Sequence, residues 1–86
     1  MAALDILYYG RLRDAIGRDR EEVDVPSHVL TVEDLLGWLR QRGEPHASAL
    51  ADGAAMSAAV GGEWAGHGDS LFGAPEVALF PRRGVL

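Results

Sequence analysis

Eighty-six residues, 48% hydrophobic and 24% charged, describe one globular domain with a single modest core, and they argue against a disordered chain. A formal net charge of −5 opposes nucleic acid, whose phosphates such a surface would repel. All eight basic residues are arginine and cysteine is absent, so a lysine Schiff base, an isopeptide acceptor, disulfides, thiolate zinc sites and a cysteine nucleophile are excluded. The first residues lack the basic region and apolar run of a signal peptide, and no segment reaches the ~20 apolar residues of a membrane span. The expectation is a cytoplasmic protein without a membrane segment.

Leu4–Tyr9 reads as a first strand, aliphatic and aromatic, closed by Gly10. Leu12, Ala15 and Ile16 then fall at helical spacing, with Gly17 as C-cap of a helix too short to stand alone. Glu21-Glu22-Val23-Asp24-Val25 alternates before Pro26 and predicts a half-exposed strand antiparallel to the first. Thr31 opens the clearest element. Its hydroxyl can cap a helix while Asp34 answers as a short capping-box acid. Val32, Leu35, Leu36 and Leu39 form one apolar stripe, and Arg40, Arg42, Gly43 and Pro45 end it, so the spacing predicts a helix over Val32–Arg42. Pro45 can begin a short second helix through Ala47, Ala49 and Leu50. Met56–Val60 is a strand, Gly61-Gly62 a hairpin turn into Glu63-Trp64-Ala65, and 66–73 a connection whose Leu71 and Phe72 tuck under the sheet edge.

The chain closes on Val77-Ala78-Leu79-Phe80, an apolar run long enough for one strand buried on both faces, which Pro81 ends. Six residues follow the run: Pro81-Arg82-Arg83-Gly84-Val85-Leu86. With the first and last runs paired in parallel at the sheet centre, the class is α+β, a mixed sheet with one main helix on one face. That is the β-grasp, or ubiquitin-like, arrangement.

A search for catalytic groups yields little. Ser27 and His28 are adjacent, and neighbours in a strand or loop rarely face each other. Asp52, Glu63, Asp69 and Glu76 are scattered, and His28, His46 and His67 show no metal-ligand spacing; His46 and His67 are expected to face solvent. Gly61-Gly62 and Gly66-His67-Gly68 suit turns better than an anion cradle, because no strand–glycine–helix context follows. No active site of its own, no metal and no bound cofactor are expected. What stands out is aromatic placement. Tyr9 and Phe80 leave parallel strands at one end of the sheet, and Trp64 can join them opposite the helix. Ringed by Arg11, Arg13, Arg82 and Arg83, they suit a protein-binding patch.

The whole chain resembles the small, sulfur-carrying subunit of molybdopterin synthase, the MoaD type within the MoaD/ThiS β-grasp carriers. The resemblance rests on Leu7-Tyr8-Tyr9-Gly10-Arg11-Leu12-Arg13-Asp14, Thr31-Val32-Glu33-Asp34-Leu35, Ala58-Ala59-Val60 and Glu76-Val77-Ala78-Leu79-Phe80-Pro81, in order and at these spacings. It implies a carrier whose C-terminal glycine is adenylated by an E1-like enzyme using ATP, converted to a thiocarboxylate, and inserted into the large synthase subunit. It also implies partner contacts at Tyr9, Trp64 and Phe80, flanked by Arg13. The family tail reads Pro-Pro-x-x-Gly-Gly. Here Arg82 replaces the second proline and Val85-Leu86 stand at the Gly-Gly positions, Gly84 preceding them, so the thiocarboxylate would fall on Leu86. Before the last strand the family's Gly-Asp is Ala74-Pro75, and Gly61 stands for the expected Asn. A second reading therefore stays open: a β-grasp module that docks through the same aromatic residues without transferring sulfur.

Overall fold

A computed structural model of the chain describes residues 2–51, 56–71 and 73–81. The elements are β1 (Ala2–Tyr8), α1 (Arg11–Ile16), β2 (Arg20–Val25), α2 (Val32–Arg40), α3 (His46–Ala49), β3 (Met56–Val60), β4 (Glu63–Ala65) and β5 (Glu76–Pro81). The five strands form one sheet in the order β2-β1-β5-β3-β4. The apolar first and last strands are its parallel inner pair, and the remaining neighbours run antiparallel.

Period-two alternation assigns each strand's faces. Leu4, Ile6 and Tyr8 of β1, Val23 and Val25 of β2, Met56 and Ala58 of β3, and Val77 and Leu79 of β5 are buried on one side. There they meet Val32, Leu35, Leu36 and Leu39 of α2, with Leu12, Ile16, Leu50 and Leu71 closing the core. Ala78, on the other side of β5, is buried as well, but Glu76 and Phe80 on the same face are only half-buried, so the expected burial of this strand on both faces holds only at its middle.

The start of α2 follows the sequence rule. Asp34 N–H donates to Thr31 Oγ1 at 3.1 Å, while Thr31 N–H donates back to Asp34 Oδ2 at 3.3 Å. Two further amides of this turn are also taken: Val32 N–H donates to the Asp69 carbonyl and Glu33 N–H to the His67 carbonyl, at 3.2 and 2.8 Å. The glycine-containing connection thus closes the helix rather than leaving it open to an anion.

Several boundaries differ from expectation. β1 begins at Ala2 and stops at Tyr8, leaving Tyr9 just beyond it; Tyr9 N–H still donates to the Leu79 carbonyl at 3.1 Å. α2 ends at Arg40 rather than Arg42, because Arg42 lies in the following turn and bonds elsewhere. Pro81 belongs to β5, opposite Met56, so the stretch beyond the strand is 82–86. Phe72, Asp52 and the tail residues Arg82, Arg83, Gly84, Val85 and Leu86 lie outside the described residues.

Candidate functional site

Register places three aromatic rings together. Phe80 lies one residue beyond the Tyr8–Leu79 pair, which sets it beside Tyr9; the two rings stack with centroids 4.5 Å apart and planes within 8°. Trp64 pairs with Ala59, which pairs with Ala78, so all three residues share the face away from α2. Alanines there leave room for the indole to lean on Phe80, at 5.1 Å between centroids. Such ring pairs contribute about 0.5–1.5 kcal/mol beyond area burial. Even so, Trp64 is 72% exposed and Tyr9 44%. Large rings left this open belong to the surface rather than the core.

Arg13, on the exposed side of α1, lines a shallow groove with Leu7, Tyr9, Asp19 and Arg20 and so borders the rings. Arg11 is likewise exposed at the start of α1.

Beneath Tyr9, the chain turns at Gly10 with φ +59° and ψ −138°, a combination reserved for glycine. A Cβ built there would lie 3.2 Å from Pro81 Cγ. Gly10 and Pro81 therefore pack backbone to ring, and the stacked Tyr9 and Phe80 sit beside them. The last residue of β5 is held in place by the end of β1.

A second polar arrangement lies on the core side. Glu21 is only 8% exposed, and its Oε1 accepts from the Tyr8 hydroxyl at 2.7 Å and from His46 Nε2 at 2.6 Å. Arg42 donates to Oε2 at 3.3 Å, and Arg18 stands 3.7 Å away. Burial raises the carboxyl's pKa, but bonds from His46 and Tyr8, with the charges of His46 and Arg42, outweigh it and leave Glu21 below its ordinary value. Burial, then the Glu21 bond and charge, drive the Tyr8 hydroxyl far up. The group ties β1, β2, the end of α2 and α3 together, with the Arg42 guanidinium over the Trp38 ring at 5.4 Å. Its lone pairs are occupied by the protein itself, so its role is structural.

This group corrects the expectation for His46, whose side chain is 12% exposed because the inward carboxylate draws it under the sheet edge. His67 is corrected too: it is half-buried and its Nε2 lies 2.8 Å from the Met56 carbonyl. Glu21 did not stand out among the candidates. The signal was present, since alternation carried back from Val25 and Val23 puts position 21 inside.

Elsewhere, Ser27 and His28 are exposed, Glu63 at the start of β4 and Asp69 in the connection after it are exposed, and Glu76 is half-buried. Among the described residues no group of three or more His, Asp or Glu could hold a metal ion. A hollow of about 480 Å³ lies at the opposite end of the sheet from Pro81, against Leu4, Val25, Val29, Leu30 and Leu71. Its polar side chains are Ser27 and Ser70, with no carboxylate, histidine or arginine among the described residues that line it, so it offers no acid or base. Among the described residues, no helix is long and apolar enough to cross a membrane.

No protein-family model matches the chain, and no curated protein sequence matches it significantly. Solved structures do. A Pyrococcus furiosus protein named "Putative molybdopterin converting factor, subunit 1" superposes with a TM-score of 0.74 at 23% identity, over 94% of this chain and 98% of that one. Small archaeal modifier protein 1 of Haloferax volcanii matches in two crystal structures. One gives a TM-score of 0.71 at 26% identity over 94% of this chain and 98% of that one; the other gives 0.70 at 24% over 93% and 94%. The chain has the β-grasp fold. These structural neighbours are all MoaD/ThiS β-grasp proteins, and the mixed five-stranded sheet with a few helices matches them.

Proposed function

We propose that this β-grasp chain is the small, sulfur-carrying subunit of a molybdopterin synthase, docking on the large subunit through Tyr9, Phe80 and Trp64, with Arg13 at the border. The observation that carries the reading is the three-ring cluster at the end of β5, beside the point where the chain passes from Pro81 into the tail. A partner that grips the rings receives the tail at a fixed place. Likeness to a protein named for molybdopterin conversion and to a small modifier protein supports a carrier of this type.

In this reading an E1-like enzyme, holding the ATP, joins the tail carboxylate to AMP with loss of pyrophosphate. A sulfur nucleophile then displaces AMP and leaves a thiocarboxylate, which donates its sulfur in the large subunit. The Val85-Leu86 pair at the Gly-Gly positions favours the second reading, a docking module without transfer, because branched side chains obstruct a narrow tunnel that glycine passes. Intact-mass measurement after incubation with the E1-like enzyme, ATP and a sulfur donor separates them. Replacement of one oxygen by sulfur establishes the carrier. An unchanged mass on a chain that still binds the large subunit establishes the docking module, and absence of both sinks the proposal.

A further inference from the structure

The open sheet face is not uniform along the strands. At the end near Pro81 it is aromatic and apolar, with Tyr9, Phe80, Trp64 and Leu7. One step back, register brings Glu22, Asp5 and Glu76 into a single row across β2, β1 and β5, with Asp24 one step further along β2. Arg20 neutralises Asp5 at 2.6 Å. Glu22, Asp24 and Glu76 have no ion pair among the described residues. Arg13 stands at the aromatic end. The face is therefore polarised, carboxylate at one end and arginine-bordered aromatic at the other.

Area decides what this means for a partner. Five strands of three to seven residues, about 4.8 Å apart, give a face of roughly 400 Å². A stable complex covers about 800 Å² on each side. A partner seated on the rings that spreads along the sheet covers the carboxylate row as well. Covering an unpaired carboxylate without a counter-charge leaves its lost hydration uncompensated and opposes the gain from the rings. We propose that the partner surface for this face carries a strip of arginine or lysine aligned with the Glu22–Asp5–Glu76 row, and that this strip sets the one orientation in which the partner meets the tail end. The inference rests on docking by this face, and it adds the chemistry of the partner and the register of the complex.

The test compares three chains by calorimetry against the large synthase subunit at low and high salt: wild type, Glu22→Gln/Glu76→Gln, and Glu33→Gln/Asp14→Asn. The last pair removes the same charge from exposed positions off this face. The row variant is expected to bind roughly tenfold more weakly at low salt and to lose most of its salt dependence, with the control unchanged. Equal behaviour of the two variants overturns the proposal. A second arm titrates a hexa-arginine peptide into the chain and follows backbone amides by NMR. Shifts concentrated at Asp5, Glu22 and Glu76 support the row as a basic-strip receptor even if the large subunit proves not to bind, which would refute only the identity of the partner. Shifts spread evenly over Glu33, Glu44 and Glu63 overturn it.

Discussion

Gly10→Ala is the sharpest perturbation of the site's scaffold. The position has φ +59° and ψ −138°, where a Cβ costs about 1–3 kcal/mol of backbone strain. In addition, the new methyl would lie 3.2 Å from Pro81 Cγ, tighter than an ordinary contact, and ring displacement adds about 0.5–1 kcal/mol. The expected loss is about 1.5–4 kcal/mol, or roughly 6–32 °C in Tm for a domain of this size. Gly17→Ala supplies the reference. Gly17 also has a positive φ, +89°, but nothing lies within 4 Å of its added Cβ, so only the backbone cost of about 1–2 kcal/mol applies. Urea unfolding of both variants, with Gly10→Ala/Pro81→Ala as a third, measures the difference. Replacing the proline ring by a methyl should return about 0.5–1 kcal/mol of the Gly10→Ala loss. If Gly10→Ala costs no more than Gly17→Ala, the packing of β1 against the last residue of β5 is not what holds Pro81.

Acid unfolding reports on Glu21. Its folded pKa lies below the unfolded value of 4.5, so its stabilisation is fully present above that value and is lost as pH falls through the folded pKa. Glu21→Gln should lower stability at pH 7 and flatten the decline below about pH 4.5; an unchanged acid limb in urea titrations at several pH values would count against the buried carboxylate. Thr31→Ala removes the oxygen that accepts from Asp34 N–H and should cost about 1 kcal/mol by thermal unfolding, with Ser nearly neutral. Trp64→Ala should change stability by no more than about 0.5 kcal/mol, since the ring is mostly exposed, yet weaken binding to the large subunit by at least about 30-fold. Phe80→Ala should weaken binding similarly with a larger stability loss; wild-type affinity in either variant would move the docking face elsewhere.

Local rules sufficed for the elements. The Thr31–Asp34 capping box, the stripe from Val32 to Leu39, the αL Gly17 and the Gly61-Gly62 turn act within a few residues, so the chain carries their whole description. The mainly apolar first and last runs likewise pointed to an inner parallel pair, because such runs suit strands with neighbours on both sides. Tertiary structure alone decided the rest. Glu21, Tyr8, His46 and Arg42 are separated by up to 38 positions and meet only because β2 pairs with β1 while the end of α2 and α3 fold over that edge. The aromatic residues Tyr9, Trp64 and Phe80 were legible as candidates from their places in the sequence. Their stacking distances, and the polarity of the face they share with Glu22, Asp5 and Glu76, depend on register. A slip of one residue would send every one of those side chains to the other side.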